Sequence, residues 1–422
     1  MKGPATMAPP HGATLLTAWH RHHRCDLAAH LETHGPLPLP VPRDYGWPAR
    51  LAREIEAAGL TGRGGAAFPS VRKLVAAGTT GRGAVVVVNA MEGEPASDKD
   101  RVLLAVAPHL VLDGAALVAT ALGAGRVVVC VADDRHDTAA HVAQAIGERV
   151  GTHLGPPVEL ARPPAGYVSG EESALASWLA GGVGAPAFRP DRAVPLSISR
   201  RPALVHNAET LAHVGLIARY GAPWFRSLGS NGATGTTLVT VSGDVEHPGV
   251  HEVALGAPIE EIVARSTPNG AIRAVLVGGY GGSWIDTAAL ATPYAPAALR
   301  GLGAGVGAGI LLVLGAGHCG LAEVARIARY MAGESAGQCG PCVFGLPAIA
   351  ADLDELVRGS PHPGALEQRL HARLEAVDGR GACRHPDGVV RMVRSALAVF
   401  RDEVRHHLAR GRCRCGDKAG PR

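Results

Sequence analysis

Two cysteines close the segment Glu334-Ser335-Ala336-Gly337-Gln338-Cys339-Gly340-Pro341-Cys342, and a third stands at Cys383. Thiolates in a C-x2-C pair with a distant third suit zinc, an iron–sulfur cluster or a redox dithiol. Cubane clusters ordinarily take four thiolates. The position that would complete C-x2-C-x2-C holds Ala336. Three outcomes stay open: a cubane with a non-cysteine ligand, for which Ser335 and His385 stand near in sequence, a three-iron cluster, or ordinary buried thiols. Cys319 is a poor fourth ligand, because a helix of about 15 residues would carry it roughly 20 Å from Cys339.

Four loops carry further chemistry. Gly59-Leu60-Thr61-Gly62-Arg63-Gly64-Gly65-Ala66-Ala67-Phe68-Pro69, with Lys73 after it, is either an anion cradle or a surface loop. Closely spaced glycines let backbone N–H groups approach a phosphate, and a lysine adds a point charge. Asn89-Ala90-Met91-Glu92-Gly93-Glu94-Pro95 directly follows an apolar run, where open α/β sheets bind ligands. Gly166-Tyr167-Val168-Ser169-Gly170-Glu171-Glu172-Ser173 pairs glycines with acids suited to a ribose or ring edge. His206-Asn207-Ala208-Glu209-Thr210 offers an amide that serves a ligand or caps a helix. A rival is Gly315-Ala316-Gly317-His318-Cys319-Gly320, a G-x-G-x-x-G dinucleotide pattern whose helix leads to the cysteine segment rather than to a second parallel strand.

These groups need elements to hold them. Ala84 to Asn89 and Arg126 to Ala132 predict buried strands, and Leu51 to Ala58 and Leu110 to Leu122 predict helices. Such alternation over residues 46–228 implies an α/β layer fold. Residues 229–317 change character. Thr237 to Ser242 and Gly249 to Val253 alternate like paired strands about a turn, Ile259 to Ala264 predicts a short helix, and Ala274 to Val277 and Ile310 to Leu314 predict further strands. Residues 318–410 read as helices, with Leu321, Val324, Ala325, Ala328 and Met331 on one face and all three cysteines at helix ends. Residues 1–45 read as a loosely packed arm whose His20-Arg21-His22-His23-Arg24-Cys25 run either binds a metal or binds nothing specific. Residues 411–422, with Cys413 and Cys415, form a polar tail.

Composition excludes some classes. A net charge of +4 over 422 residues, with no dense basic run among aromatics, argues against nucleic acid. No signal peptide is visible, and Leu302 to Gly317 is too short and glycine-rich for a transmembrane segment. Eight cysteines without an export signal suggest a reducing, cytoplasmic compartment. Lysine is rare, at positions 2, 73, 99 and 418, while arginine is common. Two of those four lysines lie in or beside the loops above, where a compact charge suits a tight space.

Together and in this order, the loops and cysteines resemble the NADH-oxidising flavoprotein subunit of respiratory complex I, a family shared with NAD-reducing hydrogenases and NAD-dependent formate dehydrogenases, of which this is a divergent, stand-alone member. The match spans roughly residues 46–408. The resemblance implies a Rossmann-like FMN-binding α/β domain, a small ubiquitin-like β-grasp domain and a C-terminal helical bundle carrying an iron–sulfur cluster. It implies FMN held by Gly62, Arg63, Gly64, Gly65, Phe68 and Lys73, by Asn89 and Glu92, by Tyr167, Gly170 and Glu171, and by Asn207 and Thr210. It implies a [4Fe–4S] cluster on Cys339, Cys342 and Cys383, and NAD(H) as substrate near Glu94 and Glu172 as catalytic residues. Electrons would pass from NADH through FMN and the cluster to a protein or quinone-linked acceptor, with an iron–sulfur or ferredoxin-like protein as partner. Several positions depart from the family pattern. Met91 stands for an aspartate, Leu74-Val75-Ala76 lacks an aromatic, Arg189-Pro190-Asp191-Arg192 lacks an adenine-stacking phenylalanine, and Val343 replaces an arginine. These departures motivate two alternatives, an FMN-binding electron-transfer protein that takes electrons from a ferredoxin-like donor, and a cofactor-poor scaffold.

Overall fold

Four consecutive valines, Val85 to Val88, fit a strand covered on both faces, since β-branched side chains pack well on a pleated surface. The computed structural model describes residues 14–78, 83–189, 194, 196–411, 413 and 420, and its first sheet is built on that run. The strands are β1 (Val85–Asn89), β2 (Arg126–Cys130), β3 (Val158–Ala161), β4 (Leu196–Ile198) and β5 (Arg201–Asn207). Their order is β3-β2-β1-β5-β4, parallel except for the β4–β5 pair. The apolar helices Pro108–Ala121 and Ala208–Ser227 cover one face and share a core with Val86, Val88, Val127 and Val129.

The second sheet comprises β6 (Thr236–Gly243), β7 (Gly249–Ala254), β8 (Ile272–Val277), β9 (Ser283–Asp286) and β10 (Ile310–Gly315), in the order β7-β6-β10-β8-β9. The first and last strands, β6 and β10, run parallel at its centre and the remaining pairs are antiparallel, as a β-grasp requires. One face packs on the Ile259–Ala264 helix. The other shares a core with the C-terminal helices Gly320–Gly333, Leu346–Arg358, Pro363–Val377 and His385–Val399.

The N-terminal segment departs from the loose arm its composition suggested. Leu15, Leu16 and Leu37 are buried in the α/β core, and a fully buried leucine contributes about 2 kcal/mol. The Glu252 carboxylate of β7 accepts from the Leu15 and Leu16 N–H groups. His30 lies 2.7 Å from Asp113, which also pairs with Arg149 and Arg219. Composition missed this because histidines and prolines masked the anchoring leucines. Among the described residues no single helix is long and apolar enough to cross a membrane.

Candidate functional site

The chain lays β1, β2 and β3 outward in one direction, then crosses to the far side of β1 to place β5. β1 and β5 are parallel neighbours, so the loops leaving them stand side by side at their carboxyl ends, the usual position of a ligand crevice in such sheets. Asn89 and Asn207 are register partners at that edge. Asn89 Nδ2 donates to the Gly170 carbonyl at 2.8 Å, which fixes the third loop to the second. Asn207 caps the Ala208–Ser227 helix by accepting from Glu209 N–H at 3.1 Å, and its Nδ2 donates to the Asp100 carboxylate at 2.6 Å. Asn207 thus caps the helix while standing at the carboxyl edge of β5.

The glycine loop lies beside this pair. A Cβ on Gly64 would stand 3.3 Å from Asn207 Cβ, and one on Gly170 would stand 3.1 Å from Met91 Cβ. Gly65, at φ +114°, bridges to Gly307 of the second sheet's domain. Arg63 turns away from the crevice. Its guanidinium is buried against Thr61, the Thr236 carbonyl and Glu209, and its N–H donates to Thr210 Oγ1 at 2.9 Å. Arg63 and Thr210 therefore shape the loop from below. Lys73 Nζ lies 2.8 Å from the Glu172 carboxylate and 3.3 Å from the Val205 carbonyl, while the Phe68 ring is exposed.

A charged network under the crevice was not read from sequence. Lys99 is buried between Asp100, at 2.8 Å, and Glu209, at 3.0 Å, and reaches Asn207 Oδ1 at 3.2 Å. Burial alone would lower the Lys99 pKa, but the two carboxylates raise it well above the ordinary lysine value. Burial disfavours the Glu209 carboxylate too, yet Lys99, His213 and Arg63 hold it ionised. The scarcity of lysine was the one available signal, since an arginine fork is too wide for this space.

The two acids of the second loop differ in role. Glu92 adopts φ +43° and caps the Lys99–Val106 helix, accepting from Asp100 and Arg101 N–H groups at 2.8 and 2.9 Å. Burial, and then the nearby Asp100 charge, push its carboxyl up to about 7. Glu94 is buried where the three parts of the molecule meet. Its Oε2 accepts from Tyr167 Oη and from Tyr280 N–H, both at 3.0 Å, and its Oε1 is buried. Burial raises this carboxyl to about 7. Glu172 lies at the surface beside Lys73, so the two acids expected to be catalytic occupy contrasting surroundings.

Cys339, Cys342 and Cys383 converge. Cys339 precedes the π-helical turn Pro341–Gly345, and Cys383 precedes the His385–Val399 helix. Burial pushes the Cys342 thiol up to about 12, and the adjacent Cys339 and Cys383 add to this. Burial likewise raises Cys383, with Glu171 and Cys339 among the charges it feels. Glu171, the N-cap of the Glu172–Leu179 helix, thus faces both the third loop and the thiols. Glu334 Oε2 accepts from Tyr167 N–H at 2.8 Å and Gln338 Nε2 donates to the Pro186 carbonyl at 3.1 Å, which docks the cysteine segment on the α/β domain. His385 places Nε2 2.8 Å from the Met331 carbonyl, and Ser335 and Ala336 are half-buried. Pro190, Asp191 and Arg192 lie outside the described residues, as does Cys415.

The rival G-x-G-x-x-G loop is filled by the protein itself. Gly315 N–H donates to Asp244 at 2.6 Å and Gly320 N–H to Glu403 at 2.9 Å. Carboxylates occupy the donors a pyrophosphate would need, and β10 belongs to a mixed sheet.

Comparison with known proteins agrees with this geometry. Residues 55–216 match the Nuo51 FMN-binding domain, and residues 322–407 match the NADH-ubiquinone oxidoreductase-F iron-sulfur binding region. The second NADH-quinone oxidoreductase F subunit of Rhizobium meliloti is 29% identical over 381 residues, covering 87% of this chain and 90% of that one. The NADH-quinone oxidoreductase F subunit of Rickettsia bellii is 27% identical over 385 residues, covering 85% and 90%. Among solved structures, an NAD+-reducing [NiFe]-hydrogenase in the air-oxidised state superposes with a TM-score of 0.81 at 31% identity, covering 94% of this chain and 67% of that one. With the strand order, the crevice between β1 and β5 and the converging cysteines, these matches show that the chain belongs to the NADH-quinone oxidoreductase F family of flavin- and iron–sulfur-binding proteins.

Proposed function

We propose that this chain performs NADH dehydrogenase-like electron transfer, with FMN in the crevice between β1 and β5 and an iron–sulfur centre on Cys339, Cys342 and Cys383. The observation that carries this reading is the third loop, which Asn89 holds against the crevice and Glu334 holds against the cysteine segment. The residues fit a flavin: paired amides at a sheet edge, glycines where a Cβ would crowd the floor, and a lysine on the Ser70–Gly78 helix that follows the glycine loop. They fit a cluster through three converging thiols, with the fourth position left to a non-cysteine ligand. When bound, FMN supplies the exchange between a two-electron hydride donor and one-electron carriers.

This chain's residues do the positioning. Asn89, Asn207 and the Gly62-to-Gly65 backbone orient the flavin, and Lys73 neutralises its phosphate. That requires the ammonium to leave Glu172, and a half-exposed ion pair of this kind is worth only about 0–1 kcal/mol. Glu94 keeps a protonatable carboxyl away from water beside Tyr167. We read residues 46–228 as the flavin domain, 229–317 as the β-grasp domain and 318–410 as the cluster domain, in a cytoplasmic protein passing electrons to an iron–sulfur or ferredoxin-like partner.

The test is anaerobic purification, reconstitution with FMN and stopped-flow mixing with NADH. Rapid bleaching of the flavin band supports the reading, and failure to take up flavin overturns it. Bleaching only after a reduced ferredoxin is added would point to a protein donor. Lys73→Ala should weaken FMN binding about tenfold, roughly 1.4 kcal/mol, in a fluorescence titration.

A further inference from the structure

Among the described residues, one group places three metal-ligating atoms within 4.8 Å of one another, and it includes none of Cys339, Cys342 and Cys383: Cys319, His407 and Cys413, all buried. The sequence scatters them over the G-x-G-x-x-G loop, the last helix and the tail. Cys319 is the N-cap of the Gly320–Gly333 helix that begins just beyond β10. The Arg401–Arg410 helix is fastened across that start by the bond from Gly320 N–H to Glu403, and it delivers His407.

Three features suit a zinc ion. His407 Nδ1 lies 3.2 Å from the Val357 carbonyl, and a carbonyl only accepts, so Nδ1 carries the hydrogen and Nε2 presents its lone pair. That lone pair is 3.5 Å from Cys319 Sγ. Anchoring the far N–H on a carbonyl is how proteins orient a ligating imidazole. Second, Cys319 Sγ accepts from Ala322 N–H at 3.4 Å, which fixes where the sulfur points at the start of the helix. Third, the charges balance. Thiolates at Cys319 and Cys413 with the Glu403 carboxylate carry three negative charges, and a divalent ion with Arg273, paired to Glu403, carries three positive ones.

We propose that Cys319, His407 and Cys413 bind a zinc ion, with the Glu403 carboxylate beside the group, its Oε2 3.6 Å from Cys319 Sγ. Zinc–sulfur and zinc–nitrogen bonds of about 2.3 and 2.0 Å hold ligand atoms roughly 3.5–4 Å apart, which suits this compact group. Binding converts two thiols to thiolates and releases two protons, and no electron moves. The ion ties the tail and the last helix to the end of the β-grasp domain. Burial, with Glu403 and Cys413 close by, raises the Cys319 thiol when no cation is present.

Zinc and iron are measured by mass spectrometry on tag-free, full-length, flavin- and iron-loaded protein. About one zinc per chain is expected. Cys319→Ser and His407→Ala should each lower it roughly tenfold or more with iron unchanged, whereas Cys339→Ser should lower iron and spare zinc. Should those variants fold poorly, the Cys339→Ser/Cys342→Ser protein, stripped of zinc and given cobalt(II), should show thiolate-to-cobalt charge transfer and tetrahedral d–d bands. Zinc-free wild type without those cobalt bands, zinc undiminished in Cys319→Ser and His407→Ala, or a Cys319–Cys413 disulfide in non-reducing peptide maps would each overturn the proposal.

Discussion

Lys99 is a cation whose two carboxylate partners are as buried as it is. Removing one member of such a set leaves uncompensated charge, so Lys99→Met should cost about 3–5 kcal/mol in urea unfolding. Lys99→Arg should not rescue it, because the space fits a point charge. Glu94 carries a different signature. Its carboxyl is raised from the ordinary 4.5 to about 7, so the folded state holds a proton the unfolded chain has released. The associated stability is full below about pH 4.5 and is lost as pH rises through about 7. In flavin-free protein, the stability of wild type relative to Glu94→Gln should therefore fall between those limits by on the order of 3 kcal/mol. The cysteines and the four loops were legible because their chemistry depends on type and spacing alone. Asp100 and Glu209 were not, since a buried acid and a solvated acid look alike in sequence. Arg63 misled for the same reason: its loop marks a phosphate cradle, while its side chain is spent beneath it.

Elements were legible where patterns were strong. The valine strands, the Pro108–Ala121 helix and the β6–β7 hairpin follow directly from periodicity. β3 is partly exposed and mixed in composition, β4 has three residues, and β5 contains Pro202, so their identity as strands comes from sheet pairing rather than local preference. The G-x-G-x-x-G loop shows how a motif can be correct in local context and still serve packing. A Cβ on Gly320 would lie 2.5 Å from the Phe400 ring. Gly320→Ala should thus destabilise the protein by about 1–3 kcal/mol, while FMN affinity, measured by fluorescence titration, stays unchanged. A dinucleotide site there would lose binding instead.

At the scale of the whole molecule, the sequence carried the division into an α/β layer, a β-rich module and a helical region, because each has its own hydrophobic period. It did not carry the junction among them. Glu94 comes from the first part, Tyr280 from the second, and Tyr167 packs against Tyr330 and His385 of the third. Contacts made by single side chains across hundreds of residues leave no local pattern to read. The loop through Tyr167 and Glu171 touches the flavin crevice on one side and the thiols on the other, and Glu334 and Gln338 fasten the cysteine segment to that same region. A strut shared in this way leaves neither redox centre an independent melting point. On heating, the rise in free-flavin fluorescence and the bleaching of cluster absorbance should share one midpoint, and a protease nick within 166–172 should release both prosthetic groups at once.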